Sequence, residues 1–194
     1  IIMLIGPSGS GKTTFAKHVL IPALEKPFNE YKNFKPNVQY ISSDAIRQEL
    51  LGMEADKFDN IMSETSELAF KLLFTKLDLL TTYPVNAEYI VLDTTGLSDE
   101  FRDQVVELAD KNNYNVDAII FDYKKVDEYK KNFTNSQNKG RETNGKIIAS
   151  HIKRLRMEVL KTIKRGKYRN ITTIRSKDFV TESPSGVITP MCQV

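Results

Sequence analysis

The chain opens on five consecutive apolar residues, Ile1 to Ile5, that run directly into Gly6-Pro7-Ser8-Gly9-Ser10-Gly11-Lys12-Thr13. An apolar run bounded by glycines reads as a buried strand and a tight turn, and a helix is expected from Gly11 to about Leu20, stopped near Pro22. Pro22 to Asn37 carries Pro27, Pro36 and several Lys and Asn residues and reads as an exposed connection. Val38 to Ser43 alternates in character and predicts the second strand; Asp44 then begins a short helix closed by Gly52. From Phe58 to Leu80, residues such as Ile61, Leu68, Leu72 and Leu79 recur at helical spacing, which predicts a long amphipathic helix broken at Tyr83-Pro84. Glu88 to Thr94 is the third predicted strand, ending in Asp93. Ser98 is a helix N-cap, with Phe101, Val105, Leu108 and Ala109 on one face of the helix that follows. Val116 to Phe121 is the fourth strand, and a short charged helix is expected around Val126 to Lys131. Asn132 to Gly145 is polar and rich in Gly and Asn, the composition of a mobile loop. A basic helix runs from Lys146 to about Arg165 and stops at Gly166, and Ile171 to Ile174 is the fifth strand. Lys177 to Glu182 reads as a last helical turn, and the residues beyond as a poorly ordered tail.

Strands alternate with helices throughout, and the central strands are nearly continuously apolar. That pattern predicts an α/β fold, a parallel sheet of about five strands with helices on both faces. A length of 194 residues fits one domain, here residues 1–182, with residues 183–194 as a tail or the start of a linker. The chain begins inside its first predicted strand, as a piece of a longer protein would. No run is long enough for a membrane span, and the first apolar stretch is too short for a signal peptide. One cysteine, Cys192, excludes an internal disulfide framework and suits a reducing cytoplasm. The net charge of +3 hides an asymmetry: residues 1–100 hold 9 Lys/Arg against 14 Asp/Glu, and residues 101–194 hold 19 against 11. A basic half suits a polyanionic partner, and a solvated basic face would give the same count.

Gly6 to Thr13 fills every position of GxxxxGK[ST], after a strand and at the start of a helix. The glycines allow successive N–H groups to converge on one anion, and the new helix adds its positive end. Lys12 then reaches the β- and γ-phosphates of a nucleoside triphosphate, and the Thr13 hydroxyl ligates Mg2+. The expected nucleotide-binding residues are Gly6, Ser8, Gly9, Ser10, Gly11, Lys12, Thr13 and Thr14.

A phosphate loop alone does not choose a reaction. Asp44 lies just beyond the end of the second strand, where an open α/β sheet binds its ligand, and Arg47 falls on the same helical face. A carboxylate there can take an acceptor's hydroxyl proton while an arginine fork holds the acceptor's phosphate. The spacing leaves open that Asp44 is only a helix cap and Arg47 only a surface residue.

The phosphate loop, Ile41-Ser42-Ser43-Asp44 with Arg47 after the second strand, and Val91-Leu92-Asp93-Thr94-Thr95-Gly96 at the third together resemble the 5′-polynucleotide kinase family. The likeness is greatest to the kinase module of bacterial RNA end-healing proteins and extends from Ile1 to about Glu182. The resemblance implies a P-loop kinase fold and transfer of the ATP γ-phosphate to the 5′-hydroxyl end of RNA or DNA, in nucleic-acid end repair. It implies Asp44 as general base and Arg47 as the contact to the acceptor's phosphate. It makes residues 132–145 a mobile lid over the ATP phosphates, with Arg141 as its arginine, and allows for a phosphatase or ligase module joined to the kinase. Two positions depart from the family. Asn138 stands where a further lid arginine is expected, with Lys139 beside it. Gly96 replaces the asparagine of the usual D-A-T-N, leaving Asp93 to hold Thr13 or a Mg2+-bound water.

Two further features bear on the substrate. The segment from Lys146 to Arg169 carries nine Lys and Arg against Glu158 alone, and its exposed face suits either a nucleic-acid backbone or plain solvation. His151, on the apolar stripe of that helix, reads as a packed, hydrogen-bonded residue. The competing expectation is a small-molecule kinase on the same scaffold, such as a zeta-toxin-like sugar-nucleotide kinase, which has less use for Arg47 and the basic helix.

Overall fold

A computed structural model describes residues 1–27, 35–52, 65–125, 127, 129 and 145–175. Five strands, β1 (Ile2–Ile5), β2 (Val38–Ser42), β3 (Tyr89–Asp93), β4 (Asp117–Phe121) and β5 (Asn170–Ile174), form one sheet in the order β2-β3-β1-β4-β5. Every pairing is parallel, as the alternation of strands and helices predicts. β1 and β4 are buried along their whole lengths, whereas the edge strands β2 and β5 are partly exposed. This is why Ile2–Ile5 reads as an unbroken apolar run and Val38–Ser42 does not.

The first helix, α1, passes the expected stop at Pro22. It consists of an α turn (Lys12–Phe15), a π turn (Ala16–Leu20) and a further α turn (Ile21–Leu24) with Pro22 in its first positions. The proline follows directly on the π turn, where the helical hydrogen-bond register changes. α2 (Ser43–Leu51) is closed by Gly52 in the left-handed conformation. α3 (Ser66–Leu80) is described only from Ser66, so the earlier half of the predicted Phe58–Leu80 helix lies outside the described residues. Its buried line is Ala69, Leu73 and Leu77; Leu68 and Leu79, which the spacing assigned to the apolar face, are exposed. A helix rich in leucine offers more than one stripe, and tertiary packing selects among them. α4 (Asp99–Lys111) is capped by the Ser98 hydroxyl, which accepts from the Phe101 N–H.

The last helix, α5, joins an α segment (Gly145–Arg154), a π turn (Leu155–Val159), an α turn (Leu160–Thr162) and a 3-10 turn (Ile163–Arg165). Its Ile148 and Ile152 pack with Leu4, Phe15 and Phe121 on the α1 side of the sheet. Leu155, Val159 and Ile163 join Met3, Leu77 and Val105 in the core on the other side. The π turn falls where the apolar stripe changes sides. The expected helix at 126–131, the lid, the last turn at 177–182 and the tail with Cys192 lie wholly or largely outside the described residues. Among the described residues, no helix is long and apolar enough to cross a membrane.

Buried Arg102 ties these parts together. Its guanidinium donates to the Gly96 carbonyl (2.7 Å) and to Thr162 Oγ1 (3.1 Å), and pairs with Asp99. Arg102→Met retains most of the volume but removes the donor to a buried carbonyl. Urea unfolding should show a loss of about 1–3 kcal/mol.

Candidate functional site

The loop Gly6–Thr13 joins β1 to α1 and is gripped from both neighbouring strands. The Gly6 N–H donates to Thr95 O beyond β3 (2.9 Å), and the Tyr123 hydroxyl beyond β4 donates to Ser10 O (2.5 Å). Gly6 lies so close to β4 that a Cβ there would come within 3.0 Å of the Phe121 Cβ. Gly9 and Gly11 take left-handed φ values of 76° and 79°, which lets the backbone curl into the start of the helix. Of the nucleotide-binding positions expected from the sequence, Gly6, Ser8, Gly9, Ser10, Gly11, Lys12, Thr13 and Thr14 fall in this loop and the first turn of α1, and Arg141 lies outside the described residues.

Lys12 folds back across the loop. Its ammonium donates to Gly6 O (2.9 Å), Pro7 O (2.9 Å) and Ser10 Oγ (3.3 Å), so all three protons have acceptors. Burial pulls its pKa below the ordinary lysine value, while the carboxylates of Asp93 and Asp44 act in the opposite direction.

Asp93, buried at the end of β3, forms the next corner. Its Oδ2 accepts from the Thr13 hydroxyl (2.6 Å) and from the Tyr40 hydroxyl (2.6 Å). The oxygens of Thr13 and Asp93 are donors that suit a hard cation. Among the described residues, no group of three or more His, Cys, Asp or Glu side chains is arranged to hold a metal. Such a corner fits Mg2+, which is commonly bound through one or two protein oxygens, with substrate phosphates and water completing the shell.

On the acceptor side, the N-cap of α2 is Ser42, whose hydroxyl accepts from the Ala45 N–H (3.4 Å). Asp44 is therefore not the cap; it lies in the first turn and pairs with Arg47 one turn on. The pairing brings the expected base and the expected phosphate contact together at the carboxyl end of β2, the end of the parallel sheet that also carries the phosphate loop. Arg141, the expected lid arginine, lies outside the described residues with Asn138 and Lys139. Gly96 has a structural reason: its φ is 59°, and a Cβ there would lie 3.0 Å from Ile5 Cγ1.

Three residues come to the site that the sequence reading did not assign to it. Tyr123 and Tyr40 hold the loop and Asp93. His151, half-buried on α5, brings its Nδ1 to 3.5 Å from Ser8 Oγ. Burial, then Lys12, then Arg154, lower its pKa and favour the neutral imidazole. Strand alternation puts Tyr40 on the same face as Val38, a usable signal for its direction; nothing in the sequence links His151 to Ser8, 143 positions away.

Solved structures share this fold. Shikimate kinase from Acinetobacter baumannii, in complex with shikimate, is 15% identical over 99% of this chain and 94% of its own, with a TM-score of 0.55. A chain from the PezAT chromosomal toxin-antitoxin system of Streptococcus pneumoniae is 17% identical over 97% of this chain and 74% of its own, at a TM-score of 0.62. A chain of the AvrRxo1-ORF1:-ORF2 complex with ATP is 17% identical over 84% of this chain and 49% of its own, at 0.59. No curated protein matches the chain in sequence. The family model described as AAA domain matches residues 1–165, which span the phosphate loop, Asp44, Asp93 and all of α5. The chain belongs to that AAA-domain family, as a nucleotide-binding domain with the P-loop kinase-like fold.

Proposed function

We propose that the chain is an ATP- and Mg2+-dependent phosphotransferase acting on the 5′-hydroxyl end of RNA or DNA. The observation that carries this reading is the Asp44–Arg47 pair just beyond β2, at the same end of the parallel sheet as the phosphate loop: a carboxylate for a hydroxyl proton and a guanidinium for an acceptor phosphate. Residues 1–182 are taken as one kinase domain, with Arg141 supplied by the lid. ATP as donor is consistent with the phosphate loop and with a structural neighbour bound to ATP.

On this reading the loop N–H groups hold the β- and γ-phosphates, and Lys12 exchanges its carbonyl acceptors for phosphate oxygens. Thr13 and Asp93 are the residues that would hold Mg2+, which would supply neutralisation of phosphate charge. Asp44 accepts the proton of the acceptor hydroxyl as its oxygen bonds to the γ-phosphorus. The bond from that phosphorus to the bridging oxygen breaks, and ADP leaves with the electron pair. Arg47 has donors beyond the one given to Asp44 and uses them on the acceptor's phosphate.

A small-molecule acceptor is the second reading, and the basic helix is what favours it. Arg154 pairs with Glu158, Arg156 with Asp122, Lys167 with Asp110 and Arg169 with Asp117. Those charges are already neutralised in part, which weakens the case for a long polyanion track. Shikimate kinase and the PezAT chain share the scaffold. Labelled ATP offered with 5′-OH RNA, 5′-OH DNA and a panel of nucleosides, sugar nucleotides and small alcohols separates the readings.

Asp44→Asn should leave ATP affinity within about twofold and lower transfer by about 10²–10⁴-fold in single-turnover assays. Undiminished transfer would remove Asp44 from the role of base. Arg47→Ala should raise the KM for an acceptor that carries a phosphate beside the reacting nucleoside by about 10–100-fold, with little change in kcat. An acceptor lacking that phosphate should show no such rise.

The lowered pKa of His151 gives a pH dependence with a definite sign. Between that lowered value and the ordinary 6.5, the unfolded chain binds more protons than the folded one, so stability rises with pH across the window. Nucleotide-free protein should therefore lose stability as pH falls through 6.5, and His151→Gln should flatten that part of the profile in chemical denaturation. An unchanged slope in the variant would refute the assignment.

A further inference from the structure

The Tyr40 hydroxyl is a second donor on the oxygen of Asp93 that receives Thr13. We propose that Tyr40 is a positioning residue for the metal corner: it fixes the Asp93 carboxylate so that Thr13 and Asp93 present their oxygens to a nucleotide-bound divalent cation. This inference rests on the Mg2+–nucleotide reading above and deepens it.

The geometry has three parts. Tyr40 lies on edge strand β2, two residues before Ser42, whose Cα pairs with that of Asp93 across the β2–β3 ladder. Its side chain runs along the strand to reach Asp93 Oδ2 at 2.6 Å, matching the 2.6 Å bond from Thr13. The ring is itself steadied, with the Lys17 ammonium of α1 lying 5.6 Å from its centroid.

Both hydrogen bonds fall on Oδ2, and among the described residues Oδ1 accepts none. A carboxylate oxygen has two lone-pair directions, so Thr13 and Tyr40 together occupy Oδ2 and leave Oδ1 for a metal-bound water. With the Tyr40 bond gone, a single hydroxyl would hold the carboxylate, and that hydroxyl belongs to the side chain that must also offer its oxygen to the cation. Outer-shell partners of this kind commonly contribute about 10–100-fold to metal affinity. A phenol, with an ordinary pKa of about 10, is a donor at neutral pH.

The test is Tyr40→Phe, which keeps the ring and its packing and removes only the donor. Mn2+ serves as the probe, titrated calorimetrically into the protein bound to a non-hydrolysable ATP analogue, with metal-free analogue affinity and thermal midpoint measured alongside. The variant should bind Mn2+ about tenfold more weakly, with metal-free affinity unchanged and a cooperative thermal transition retained. In an Asp93→Asn background, Tyr40→Phe should add little, because the oxygen it orients no longer carries the charge. Mn2+ affinity within twofold of the parent overturns the proposal, as does an equal loss of metal-free affinity, which would mark Tyr40 as packing alone. If the parent binds the analogue with metal and only the variant's behaviour disagrees, this inference fails while the phosphotransferase reading stands. If the parent binds no analogue, both fail.

Discussion

The structure turns on a buried ammonium. Lys12 carries its charge out of water, and such a charge is tolerated only where its protons find acceptors. The acceptors are carbonyls of the loop itself, Gly6 O and Pro7 O, together with Ser10 Oγ. The bonds that satisfy Lys12 thus also brace the loop in its curled form. An anion arriving at the loop meets a lysine already desolvated in folding, so little of that cost falls on binding.

The loop holds its shape because every strand but one sends something to it. β3 contributes Thr95 O and Asp93, β4 contributes Tyr123 and the close approach of Phe121, and β2 contributes Tyr40, through Asp93. β1 supports the loop directly. This convergence follows from the strand order: β1 lies between β3 and β4, so the loop at its end sits where the chain's crossovers diverge. β5, one strand further out, takes no part in the loop; Arg175 just beyond it instead pairs with Asp122, which Arg156 of α5 also holds.

Local patterns carried the fold and the donor half of the site. Gly6 to Thr13 is legible because the backbone itself is the binding group, and a backbone that must curl without clashing requires glycine at set intervals. The central strands were legible because burial on two faces demands unbroken apolar runs, and edge strand β2 because its residues alternate in character. What the sequence withheld is set by contacts between distant segments. The buried stripe of α3 uses Ala69, Leu73 and Leu77, since sheet and neighbouring helices select one of several leucine faces. Pro22 reads as a stop until the π turn ahead of it is known. Ser42, a strand residue by pattern, takes the cap that Asp44 seemed placed to fill, and so leaves the Asp44 carboxylate to Arg47. His151 reaches Ser8 only because α5 crosses the open end of the sheet.

The same pairing logic bears on how an acceptor would be held. A stretch with nine cations and one anion looks like a track for a polyanion when read as sequence. In three dimensions Arg156 and Arg169 are drawn inward to the buried carboxylates of Asp122 and Asp117, where they fasten α5 and β5 to the sheet. A buried carboxylate needs such partners, so these arginines serve the fold first. The cations left fully outward, Lys153, Lys161, Lys164 and Arg165, sit on long solvated stems, each of which adds little binding energy in water. Arg47 differs from them: it is largely buried, oriented by Asp44, and set at the end of the sheet that carries the phosphate loop. On the proposed reading, a nucleic acid would therefore be gripped at its reacting end, through the phosphate next to the 5′-hydroxyl, more than along its length.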